Sequence, residues 1–127
     1  MSTTISFASK QKSRFSRASF LRMKNAVLGP AYDLSVAFVS ANAMKKLNSK
    51  YRRKSYATDI LSFPLSPSSG EILFSMKDIA EQAPKFGRRT ANFLAFLFIH
   101  GLVHLKGYAH GSRMERLEAK FRKQFGI

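Results

Sequence analysis

Apolar and polar residues alternate between positions 34 and 39, with Leu34, Val36 and Phe38 on one side and Ser35 and Ala37 on the other. That two-residue period predicts a half-buried strand. A shorter alternation over 5–7 predicts another strand, and between them the pattern changes to a helical one. Phe20, Leu21, Met23, Val27 and Leu28 form a stripe over 16–28, closed by Gly29 and Pro30, a strong helix stop. After the strand, Ser40 stands where an N-cap is needed. The helix it opens, 41–53, turns Ala43, Met44, Leu47 and Tyr51 inward and Lys45, Lys46, Lys50 and Arg53 outward.

TDILSFPL (58–65) and EILFS (71–75) read as strands joined by a turn through Pro67-Ser68-Ser69-Gly70. A short helix over 76–83 stops at Pro84. The Phe-rich helix FLAFLFIHGLVHLK follows, starting near Thr90, with Gly107 placed as its C′ residue. Its phenylalanines Phe93, Phe96 and Phe98 are expected in the core. An amphipathic helix over 112–125 completes an order of strands and helices that predicts an α+β fold.

Composition narrows the partners. At 127 residues and 45% hydrophobic content the expectation is one domain, 1–127, with a substantial core. Twenty-two Lys and Arg against seven Asp and Glu leave a net charge of +15, which favours a polyanion, nucleic acid first, over a neutral metabolite. The chain has no Cys, which excludes thiolate metal sites, disulfides and a Cys nucleophile and fits a reducing cytoplasm. The longest apolar run, 91–105, is interrupted by Asn92 and two His and falls short of the roughly 20 residues that a bilayer requires, so no membrane association is expected. Residues 1–29 have the Ser, Arg and Lys content of an organellar transit peptide, but the strand and helix patterns within them favour folded structure.

All the histidines fall in one stretch: His100, His104 and His110. Residues four apart on a helix differ by about 40° around its axis, so His100 and His104 share a face one turn apart. Gly107 ends the helix, and His110 arrives three residues later. Three imidazoles suit Zn, Cu, Ni or Fe, and three protein ligands with an open position form the catalytic rather than the structural zinc pattern. The residue after His100 is Gly101, so the general-base Glu of the H-E-x-x-H protease motif is missing. Phosphodiester cleavage instead requires chiefly a Lewis acid and a cation for the charge developing on phosphorus, with Arg the favoured cation.

HGLVHLKGYAH (100–110) resembles the H-G-x-L-H-L-x-G-Y-D-H motif of the YbeY family of metal-dependent endoribonucleases, which act in ribosomal RNA maturation. LNSKYRRKSYATDILSFP (47–64) is similar to that family's L-N-x-x-Y-R-x-K-D-x-P-T-D-V-L-S-F-P, Gly70-Glu71-Ile72 to its G-D-I, and Met114-Glu115-x-x-Glu118 to its helix after the third His. The resemblance runs from about Leu34 to the C-terminus. It implies a small mixed sheet of about four strands packed against several helices, with a metal cleft at the end of a buried helix.

It further implies one zinc ion on His100, His104 and His110, with Arg52 and His104 catalytic and with Arg52, Lys54 and Tyr108 contacting RNA. The implied activity is single-strand cleavage in processing the 3′ end of small-subunit 16S rRNA and in ribosome quality control. The implied partners are single-stranded or ribosomal RNA and the ribosomal small subunit or its assembly proteins, in the cytoplasm. Thr58, Asp59, Ser62, Phe63 and Pro64 are expected to shape the sheet edge and the turn near the cleft, with substrate contact by Ser62 or Asp59 as the alternative. Ala109 stands where the family has Asp, which removes a carboxylate from beside His110. A competing expectation is a non-catalytic RNA-binding ribosome assembly factor with a structural metal. A third is a metal-dependent hydrolase of another phosphoester or an amide.

Overall fold

The computed structural model describes residues 5–7, 17–52, 59–108 and 111–127, with the backbone alone at 5–7, 17, 51 and 52. Four strands, β1 (Ile5–Phe7), β2 (Asp33–Phe38), β3 (Ile60–Ser66) and β4 (Ser69–Phe74), form one sheet in the order β1-β2-β4-β3. β1 and β4 run parallel to β2, and β3 runs antiparallel to β4. The helices are α1 (Arg17–Leu28), α2 (Ala41–Arg52), α3 (Met76–Gln82), α4 (Thr90–Leu105) and α5 (Ser112–Phe125), with a 3-10 turn at Ala83–Phe86. This is the expected α+β fold with a small mixed sheet.

Strand alternation divides the core in two. Leu34, Val36, Ile60, Ile72 and Phe74 face the larger cluster, which includes Phe20, Met23 and Val27 of α1, Phe93, Phe98 and Leu102 of α4, and Met114 and Phe121 of α5. The intervening Leu61 and Leu73 pack with Met44 of α2 on the other side. α4 is therefore apolar almost all round because it is enclosed by sheet and helices, as a core helix should be.

β4 begins at Ser69 rather than at Glu71 as the sequence predicts. Pairing carries on through the turn, with Pro64 opposite Gly70 and Ser66 opposite Ser69, and the register shifts between Pro64 and Ser66. Pro64 is tolerated because β3 is an edge strand, where a missing N–H breaks no central ladder. Pro84 also falls inside the 3-10 turn rather than ending the structure there; it sits in the first turn, where the missing N–H has no partner to lose. Among the described residues, no helix is long and apolar enough to cross a membrane.

Candidate metal and RNA site

The site is built on the C-terminal half of α4. His100 and His104 lie one turn apart there, both half-buried. Between them, Gly101 faces the sheet: a Cβ at this position would stand 3.0 Å from the Cδ1 atoms of both Ile60 and Ile72. Position 101 therefore serves close packing of α4 on the strands. A Glu there would have to enter the core, so the chain is unsuited to the protease arrangement in sterics as well as in sequence.

Helix α4 ends as expected. Lys106 is its C-cap, and Gly107, with φ of 109°, donates its N–H to the His104 carbonyl at 3.0 Å. That positive φ favours glycine and turns the chain away from the helix directly after the histidine pair.

The side chain behind His100 comes from α5. Glu118 Oε1 lies 2.8 Å from His100 Nδ1, and the Glu118 side chain is only 9% exposed. An imidazole that donates its Nδ1–H to a carboxylate carries its lone pair on Nε2 in the neutral tautomer, and the carboxylate fixes both tautomer and ring orientation. This is the outer partner that a metal-binding His ordinarily has. The donor chemistry of the pair, two imidazoles on one helix face with one already held by a buried carboxylate, thus fits a divalent ion such as zinc. Sequence reasoning placed Glu118 within a family motif without giving it this role, because the contact depends on how α5 packs against α4.

A second carboxylate stands nearby. Burial raises the pKa of Asp59, just before β3, and the neighbouring Asp78 adds to the effect; its own backbone N–H, that of Ile60 and the charge of His100 act in the opposite direction. Sequence reasoning gave Asp59 a role in shaping the sheet edge, whereas its electrostatics tie it to the histidine end of α4.

The remaining predicted residues fall as follows. Arg52 is the last residue of α2, the helix on the sheet face opposite α4, and its side chain lies outside the described residues, as do Lys54, Ala109 and His110. Tyr108 is half-buried against the main core cluster. Among the described residues there is no group of three His, Asp or Glu side chains arranged to hold a metal. The structure joins His100 to Glu118, with His104 one helical turn further along α4.

Of the α4 phenylalanines, Phe93 and Phe98 are fully buried. Phe96 departs from the expectation of a plain core position: the guanidinium carbons of Arg88 and Arg122 lie 4.4 and 5.0 Å from its ring centre. It sits at the core margin, where its π face meets cations.

The chain resembles the solved structure of TM1509 from Thermotoga maritima with a TM-score of 0.70, at 24% identity over 96% of this chain and 89% of that one, which establishes a shared fold. It is 35% identical to the Endoribonuclease YbeY of Alkaliphilus metalliredigens, over 75% of this chain and 68% of that protein. Identity reaches 40% with the protein of that name from Thermodesulfovibrio yellowstonii (76% and 70% covered) and 41% with that from Helicobacter pylori (66% and 63% covered). The chain therefore spans about two thirds of the length of these relatives. The model of the Endoribonuclease YbeY family matches residues 2–126. With the match extending through both histidine-bearing and upstream motifs, the chain belongs to the YbeY endoribonuclease family.

Proposed function

We propose that the chain is a zinc-dependent endoribonuclease that cuts single-stranded RNA in the cytoplasm, processing the 3′ end of small-subunit 16S rRNA and serving ribosome quality control. The observation that carries this reading is the His100–Glu118 contact beside His104, which prepares an imidazole as a metal ligand. The name shared by the relatives supplies the reaction class, and the net charge of +15 suits an RNA substrate.

His100, His104 and His110 would hold one zinc ion, which when bound supplies a Lewis acid for a phosphate or water oxygen. Glu118 keeps the Nδ1 proton of His100 in place and so holds the ring in position. Arg52 offsets the negative charge that develops on the phosphoryl oxygens. Lys54 binds a neighbouring phosphate, and Tyr108 offers a ring against which a base can stack. The ribosomal small subunit or its assembly proteins would present the RNA.

Cleavage of a single-stranded RNA by the purified chain tests the proposal. His104→Ala and Arg52→Ala should each lower the rate by about 100-fold or more, the range for loss of one transition-state charge stabiliser. Equal cutting by both variants and the parent would assign the activity to a contaminant. RNA binding without cutting by the parent would leave the assembly-factor reading standing instead.

A further inference from the structure

Helix α5 carries a second set of groups outside the histidine site. Arg113, Arg116 and Lys120 recur at i, i+3 and i+7, within a sector about 60° wide and about one cation per 5 Å of helix axis. With Tyr108 and Leu117 they line a groove of about 420 Å³. All three cations are exposed. Among the described residues no carboxylate pairs with any of them; Lys120 has only the Phe121 ring, 5.8 Å away. The acidic residues of α5 do not neutralise the groove, since Glu118 is turned inward to His100 and Glu115 falls about 100–160° around the helix from the three cations.

The groove is thus a row of unneutralised cations beside an apolar wall, and the wall includes Tyr108, two residues from His110. A single-stranded nucleic acid has the complementary pattern, a line of phosphates along one side and bases with free π faces along the other. Guanidinium forks suit phosphate oxygens better than point charges do. We propose that this groove is an RNA track along the outer face of α5, with phosphates on Arg113, Arg116 and Lys120 and a base against Tyr108 and Leu117. The inference rests on the ribonuclease reading and adds to it where the strand lies.

The test is binding of a fluorescein-labelled oligouridine to the full chain, kept uncut by chelator and read by anisotropy across a salt series. The triple variant Arg113→Gln, Arg116→Gln, Lys120→Gln is compared with a charge-matched control, Lys77→Gln, Lys85→Gln, Arg89→Gln. Three lost phosphate contacts at about 0.7 each should flatten the log–log salt slope by about 2 in the groove variant, with at least a tenfold loss of affinity at low salt. The control should change far less. Arg113→Lys with Arg116→Lys should keep the slope, and Tyr108→Ala should weaken binding about tenfold at unchanged slope.

Equal slopes in the groove variant and the control would overturn the track. So would a groove variant that loses binding to phosphatidylglycerol vesicles but not to oligouridine, since the cations would then serve a membrane surface. Cleavage by the parent chain separates the two levels. A parent that cuts RNA while its groove variant behaves like the control removes only the track, whereas a parent that neither binds nor cuts RNA removes the ribonuclease reading with it.

Discussion

Replacing Glu118 is the most informative perturbation of the histidine pair. Its side chain is buried, and its carboxylate accepts from His100 Nδ1 at 2.8 Å. A hydrogen bond to a charged group contributes about 1.5–3 kcal/mol, against about 0.5–1.5 for a neutral one. Glu118→Gln keeps the volume and an acceptor oxygen, so it forfeits only the difference, about 1 kcal/mol, or roughly a fivefold to tenfold loss in zinc affinity. Glu118→Ala removes the acceptor and frees the ring to reorient. Its expected loss is about 100-fold, at the upper end of the range for partners behind a metal-bound His. The assay is competition for zinc against a chromophoric chelator, with urea unfolding of the metal-free proteins run in parallel to separate binding from folding. The expected order is parent, Gln, Ala. Three folded proteins with the same zinc affinity would refute the idea that this contact prepares His100 for a metal.

Other outcomes follow from packing and charge. Gly101→Ala should destabilise the fold by about 1 kcal/mol in denaturant unfolding, the overpacking cost against Ile60 and Ile72 of about 1–3 kcal/mol being offset in part by a helix-propensity gain of about 1 kcal/mol; an unchanged or raised midpoint would mean that the Ile side chains yield freely. Phe98→Ala, which removes a ring set edge-on to Phe20 at 4.6 Å, should cost about 3–5 kcal/mol by the same measurement. Burial holds the folded pKa of Asp59 above the ordinary value of 3.8, so its contribution to stability is fully present below that value and is lost as pH rises through the folded pKa. Asp59→Asn should therefore melt higher than the parent at neutral pH in chelator-treated protein, with the advantage fading to nothing below about pH 3.8; a lower melting temperature at neutral pH would reverse the assigned cause.

Local chemistry made much of the fold readable in the sequence. α4 begins at Thr90 and α5 spans Ser112–Phe125 as predicted, and Gly107 and Gly126 follow their last turns with positive φ. Ser40 caps α2 as expected, accepting from the Ala43 N–H at 3.1 Å. What the pattern could not give was set by distant packing. The strand order and the parallel pairing of β1 and β4 with β2 depend on which helices cover which face. Lys24 falls on the buried side of α1, where periodicity shows only a lone polar residue; it is retained because its ammonium donates to the Pro30 carbonyl at 3.3 Å and to Asn25 Oδ1 at 3.1 Å.

The site divides in the same way. Spacing alone brought His100 and His104 to one helix face, since the helix geometry is local. Glu118 lies 18 residues from His100 and meets it only because α5 folds back over α4, so no local period announces the pair. Asp59 likewise reaches the histidine end of α4 through the position of β3. Ala109 removes one carboxylate from the motif, and Glu118 provides one from a different element.

The most direct measurement is the metal content of the purified chain by elemental analysis, with His100, His104 and His110 each replaced by Ala in turn. About one zinc per chain is expected in the parent and close to none in each variant, as loss of one of three ligands requires. A metal-free parent whose RNA cleavage is indifferent to chelator, or a His104→Ala protein that keeps its full complement of zinc, would contradict it.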